Sequence, residues 1–363
     1  MRERLSVVWR AAGQGAVVLA AAVVLSLGAA EPVGAETSAW SARLEAPKGR
    51  KVTPKREGRV RKPGAKSAPP RKELPKVADI KGLPPAEAAY VSFEQGRYLT
   101  ALEKGRDAAT KGVPAAHTLV GRILAEGLGI PQDFVAAARW YKRAAELGDV
   151  EGSFALGVLY TEGRGVPKDF VAAAKAFELA AEKGHALAHY NLALMFIAGR
   201  GKPENPVRGA QHLAYAAEHG VVAAQYDLAA LFLRGHGVEP NALEAARWIA
   251  RAADAGMPEA ELDYALMLLR GRGLVKDVPR AAAYLTAAAE KGNPVAQNRL
   301  ARLYANGLAV RKDLYQAAKW HLIAAASGIK DPALDALVKM LTPADRLKAI
   351  KAAEAWHVGD VVR

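Results

Sequence analysis

From about residue 86 onward the chain alternates between two amphipathic patterns of helical period, separated by short glycine-bearing breaks. The first pattern places apolar residues at i, i+1 and i+4: Leu156, Gly157 and Tyr160, then Leu192, Ala193 and Phe196, then Leu228, Ala229 and Phe232. This spacing lines one helix face with a small residue beside larger ones. Neighbouring helices can then approach closely while an aromatic fills the gap between layers. The second pattern rests on alanine. Ala138, Ala174, Ala210, Ala246, Ala282 and Ala318 share a register, and an Ala-Ala pair follows each at 144–145, 180–181, 216–217, 252–253, 288–289 and 324–325. Each unit thus predicts a helix A, a short loop and a helix B. In the unit opening at Gly148, helix A spans roughly 150–162 and helix B roughly 170–183.

The breaks recur every 36 residues, with glycine at Gly112, Gly148, Gly184, Gly220, Gly256, Gly292 and Gly328. Within each unit a Gly-x-Gly follows, at 127/129, 163/165, 199/201, 235/237 and 271/273; the sixth unit has Gly307 and Ala309. Four residues later stands Asp133, Asp169, Asn205, Asn241, Asp277 or Asp313. Glycine ends a helix in the left-handed conformation that a Cβ penalises, and Asp or Asn accepts from the first free N–H groups of the next helix. Three departures stand out: Gly209 where other units have alanine, the loop GRGKPENP at 199–206, and Ala309. They predict that the third and sixth loops differ in shape. A hairpin of this size buries too little alone, so six must share one stacked core. The expected fold is all-α: a right-handed α-α superhelix, or solenoid, of about six 36-residue helix-turn-helix repeats with terminal caps.

The run Leu-Gly-x-x-Tyr, Gly-x-Gly, Asp, Ala and aromatic, then Ala-Ala-x-x-Gly resembles the Sel-one-like repeat, a relative of the tetratricopeptide repeat. Arg122–Gly148 and Leu156–Gly184 fit nearly position by position, and the resemblance covers about residues 86–330. It implies a protein-interaction solenoid of the exported bacterial type, with helix A on the inner side. Some cysteine-rich secreted members are associated with β-lactamase activity. Those carry a disulfide per repeat, and this chain has no cysteine, so that activity is not carried over.

The expected organisation is a signal peptide or anchor at 1–35, a basic linker at 36–83, an N-terminal capping hairpin at 84–111, the repeats at 112–327 and C-terminal capping helices at 328–363. Ala11–Ala30 is uncharged after three arginines, and small residues at Gly28-Ala29-Ala30 and Val33-Gly34-Ala35 offer cleavage sites. The same twenty residues could instead stay as a membrane anchor. The expected location is periplasmic or secreted, with inner-membrane anchoring through residues 11–30 as the alternative.

The formal charge of +14 first suggests nucleic acid. It is local: between Arg43 and Lys81 fourteen Lys or Arg face only Glu45, Glu57, Glu73 and Asp79, whereas residues 82–363 hold 34 basic against 30 acidic side chains. The basic stretch is rich in proline, poor in large apolar residues and without interleaved aromatics, so it reads as an extended linker and not a base-stacking surface. It is expected to touch anionic envelope polymers or lipid headgroups, and no nucleic acid is expected.

Candidate chemistry is sparse. His185 and His189 are spaced i, i+4, but the sequence between reads HALAH without the metalloprotease glutamate. Other units carry His117, Ser153, Gln225, Glu261 and Gln297 at the position of His189, which reads as a solvated polar position. Ser327 and Lys330 match a short Ser-x-x-Lys element with none of its companion motifs. The Gly-x-Gly pairs join helix to helix and lack the third glycine or the Gly-Lys of phosphate loops. The expectation is no enzyme, no cofactor and no metal site, and a binding scaffold for protein partners in the cell envelope. The alternatives are a secreted hydrolase of cell-wall or β-lactam substrates, by family association alone, and a membrane-tethered regulator. Candidate partner-binding residues along the variable row of helix A are Asn191, Asp227, Arg234, Asp263, Arg270, Arg299 and Arg302, with Tyr190 and Tyr226 next to it. In the sixth unit Arg299 and Arg302 have no acid nearby in that row, which predicts an acidic partner against the C-terminal repeats.

Overall fold

A computed structural model describes residues 80–356. The proposed signal segment and nearly all of the linker lie outside them. Sixteen α-helices and no strand occur among the described residues. They fall into two compact units that divide after Ala176.

The first unit contains α1 (Pro85–Glu94), α2 (Tyr98–Thr110), α3 (Pro114–Glu126), α4 (Phe134–Glu146), α5 (Val150–Glu162) and the start of α6 (Phe170–Ala181). Helices α1 to α5 each pack on the next in chain order. The second holds α7 (Ala186–Ala198), α8 (Pro206–Glu218), α9 (Val222–Arg234), α10 (Ala242–Asp254), α11 (Pro258–Arg270), α12 (Val278–Glu290), α13 (Pro294–Asn306) and α14 (Leu314–Ala326). There too each packs on its successor, and α15 (Pro332–Met340) and α16 (Pro343–Glu354) both close against α14. The fold class is the expected all-α solenoid of stacked hairpins.

Local chemistry sets the helix ends. The side chains of Asp133, Asp169, Asn205, Asn241, Asp277 and Asp313 all accept from first-turn N–H groups, at 2.9–3.1 Å. Each such cap contributes about 1 kcal/mol. Thr342 caps α16 in the same way, accepting from the Asp345 N–H at 3.1 Å. Alanine fills the core: Ala137, Ala173, Ala245, Ala281 and Ala317 are fully buried at one register position, and Ala144, Ala180, Ala216, Ala252, Ala288 and Ala324 at another. Large residues fill what the alanines leave, among them Phe177, Leu192, Leu228, Leu285 and Leu300.

The third and sixth loops do not differ in backbone shape, contrary to expectation. Gly201 has φ 69° and Ala309 φ 60°, the same left-handed region as Gly165 at 71°. The loop-closing bond is kept as well: Asn205 N–H donates to Phe196 O at 2.8 Å and Asp313 N–H to Tyr304 O at 3.0 Å, as Asp169 N–H does to Tyr160 O at 3.0 Å. Alanine in the sixth loop therefore accepts strained backbone instead of reshaping the turn. Gly209 has a steric cause. A Cβ there would lie 2.5 Å from Ile197 Cγ1 and 3.2 Å from Ala193 O.

Candidate partner-binding site

On each helix A three successive register positions decide what the polar residues do. The first is the position of His189, and it is not a solvated face. His117, Ser153, Gln225, Glu261 and Gln297 are all at most 8% exposed. Three of the six donate to the end of the preceding helix B: His189 Nε2 to Ala181 O, Gln225 Nε2 to Ala217 O and Gln297 Nε2 to Ala289 O, each at 3.1 Å. Those carbonyls belong to the last turn of a helix and already accept from the N–H groups of Gly184, Gly220 and Gly292, so the side chain takes the second lone pair of each. Glu261 cannot donate when ionised. Instead Lys291 reaches back to it and also donates to Gly256 O at 3.1 Å. In four of the six units the row joins one hairpin to the next; His117 and Ser153 instead donate to Val113 O and Asp149 O at the start of their own helices, at 3.0 and 2.7 Å.

The second and third positions hold most of the candidates. Tyr190 donates its hydroxyl to Asp227 Oδ2 at 2.9 Å, and Tyr226 to Asp263 Oδ2 at 2.6 Å. In the first unit Thr118 Oγ1 donates to Asp149 Oδ1 at 2.6 Å. Tyr226 is 3% exposed, so its hydroxyl serves an internal tie between successive helices A. Burial pushes the Asp263 carboxyl above its ordinary range, and Glu259 adds to this while the Tyr226 bond opposes it. Asn191 is half-buried and donates to Leu187 O at 2.8 Å, within its own helix. Arg234 and Arg270 are the exposed last residues of α9 and α11, where their charge suits the helix C-terminus. Arg299 is half-buried on α13.

Arg302 lacks the open acid-free setting expected of it. Its Nε donates at 2.7 Å to Asp331 Oδ2, and Asn298 Nδ2 donates to the same oxygen at 3.0 Å. Asp331 is the N-cap of α15 and 2% exposed. Burial alone would raise its pKa. Hydrogen bonds from Arg302, Asn298 and the Leu334 N–H, with the Arg302 charge, outweigh burial and hold the carboxyl below its usual range. The acid comes from the C-terminal cap and not from the row, so counting charges along helix A could not find it.

A different surface feature escaped the sequence reading. The second residue of helix B is an exposed aliphatic in successive hairpins: Leu99, Val135 and Val171 in the first unit, Val207 and Leu243 in the second, all 49–67% exposed. The 36-residue spacing was its signal.

Ser327 is the exposed C-cap of α14, and Lys330 is exposed beyond it. His185 caps α7, its Nδ1 accepting from the Ala188 N–H at 3.1 Å. No group of three or more metal-ligating side chains converges among the described residues.

The Sel1 repeat family model matches residues 114–149, 150–185, 186–221, 222–257, 258–293 and 294–329, six contiguous 36-residue units. The chain is similar to a solved Sel1 repeat protein from Oxalobacter formigenes, with 28% identity and a TM-score of 0.60 over 67% of this chain and 99% of that one. It is also similar to c5321, a protective antigen with an SLR fold from uropathogenic Escherichia coli. There identity is 26% and the TM-score 0.52, over 74% of this chain and 67% of that one. No curated protein matches. Sel1 repeat proteins generally mediate protein–protein interaction, and the scaffold is typically non-enzymatic. Six uninterrupted repeats with their caps and stitching bonds place the chain in the Sel1 repeat family.

Proposed function

We propose that this protein is a non-enzymatic adaptor of the bacterial cell envelope that captures a protein partner along the helix A row. The observation that carries the reading is how the polar side chains are used. Tyr190, Tyr226, Asp227 and Asp263 hold the scaffold together from half-buried or buried positions, whereas Arg234 and Arg270 are exposed residues at the equivalent ends of α9 and α11. Together with Arg299 they favour an acidic partner. Within each unit the exposed aliphatics at the start of helix B offer further apolar contacts. Export rests on the uncharged run Ala11–Ala30 behind three arginines, and the basic linker would span between envelope and solenoid while touching anionic polymers or lipid headgroups.

Reversing Arg234 and Arg270 together to glutamate is expected to reduce capture of a specific envelope protein, identified by mass spectrometry, at least tenfold. Circular dichroism should remain that of the parent. Unchanged capture would remove the row as the recognition surface. For location, a reporter active only outside the cytoplasm and fused after residue 363 should work, and deleting residues 1–35 should silence it. A working truncated fusion would defeat the envelope assignment.

A further inference from the structure

The hairpin formed by α7 and α8 carries a histidine pair found in no other repeat. His189 Nδ1 and His212 Nδ1 lie 2.9 Å apart. His189 Nε2 meets Ala181 O at 3.1 Å, and a carbonyl only accepts, so the ring proton of neutral His189 sits on Nε2. Nδ1 of His189 is then a bare lone pair, and the proton between the rings belongs to His212. Stacking fixes both planes: His189 lies on Tyr215 at 3.8 Å between centroids, Tyr215 on His219 at 4.0 Å, and Phe196 on His212 at 5.5 Å.

We infer that His189 and His212 form a binding site for a divalent transition-metal ion, ligated through the two Nδ1 atoms. The metal would take the place of the shared proton, which moves to His212 Nε2, so each imidazole stays neutral and no proton need be released. Zinc–nitrogen bonds of about 2.0–2.1 Å at a tetrahedral angle put the two nitrogens about 3.3 Å apart, so the rings must part by a few tenths of an ångström and turn until both lone pairs meet beside the line that joins them. The bond from His189 to Ala181 O is the outer-shell partner that fixes a ligating imidazole in the required tautomer. Imidazole suits zinc, nickel and copper, and both rings are only partly buried, so water can complete the shell. Glu178 offsets part of the charge of Arg208 near the pair, although Lys202 also holds it, at 2.6 Å.

Comparison within the chain separates this reading from plain packing. The stitch to the preceding helix needs only one donor, as Gln225 and Gln297 show. The register position of His212 is held by Trp140, Ala176, Trp248, Tyr284 and Trp320 in other hairpins, and where His117 faces Trp140 only one imidazole is present. Two ligands replace two ordinary packing residues in the same hairpin.

The test is calorimetric titration of the full chain with zinc chloride, with X-ray absorption to read the ligand shell. One zinc per chain, with two imidazole nitrogens and oxygen in its shell, is the expected result. His189→Gln and His212→Trp install residues that sister hairpins already use, so both should fold, and each should weaken binding at least tenfold. His185→Asn keeps a capping side chain and should leave binding unchanged. The inference is overturned if zinc does not bind stoichiometrically, or if its binding survives both of the first two variants.

Discussion

Gly165→Ala should lower stability far more than the same change at Gly129, although the two glycines occupy one register position with φ of 71° and 70°. Both substitutions force an L residue into left-handed backbone, at about 1–2 kcal/mol. The difference is what the new methyl meets. At Gly165 it would lie 2.1 Å from Phe134 O and 2.6 Å from Val135 N, both backbone atoms at the first turn of α4. At Gly129 the nearest atom is Tyr98 Cβ, at an ordinary 3.4 Å. Separating loop from helix adds an overpacking cost of about 1–3 kcal/mol. The total for Gly165→Ala is therefore about 2–5 kcal/mol, against about 1–2 for Gly129→Ala. Urea unfolding of both variants checks it. Equal midpoints would show that the loop does not rest on the preceding helix B.

Asp331→Ala should be the next most damaging change, at about 2–3 kcal/mol, because it removes a helix cap and strands the Asn298 amide, which is 9% exposed. Arg302 loses the same partner but is half exposed, so water re-solvates it cheaply. The contact also predicts a pH dependence. The folded-state pKa of Asp331 lies below its unfolded value, so the unfolded chain binds the proton more readily. Its stabilisation is present above the unfolded pKa, near about 4, and is lost as pH falls through the lower folded value. Thermal melts of the parent should therefore show a destabilisation below about pH 4 that Asp331→Asn lacks. Parallel acid profiles for the two proteins would mean that the Arg302–Asp331 contact contributes nothing. The ion pair also makes reversal of Arg302 a poor probe of partner binding, since glutamate there would face a buried carboxylate.

Legibility followed the range of the interaction. Helix ends were readable because their determinants are local. Asp277 caps Arg280 three residues away, and Gly271 receives its left-handed φ from its own lack of a Cβ. The alanine register was readable because a helix repeats its faces every few residues, and copying the hairpin repeats the pattern every 36. The candidate row was only half readable. Variability along helix A pointed to Asp227 and Asp263, and to Tyr190 and Tyr226 as their neighbours, but variability does not distinguish a residue facing solvent from one tied to the next repeat.

The sequence by itself determined the fold class, the six-hairpin register and the caps that open each helix B, from Asp133 to Asp313, whereas the local caps Asp149, His185 and Asn293 on helix A went unread. Only the tertiary structure decided that His189, Gln225 and Gln297 stitch their hairpins to the preceding one, that Asp331 reaches Arg302 and Asn298 across about thirty residues, and that His189 faces His212 and not its i−4 neighbour His185. The physical reason is the same in each case. A hydrogen bond within one turn has its geometry set by the backbone period. A bond between hairpins depends on how close two helices come and which rotamers fit between them, and that is fixed only when the alanine core has closed.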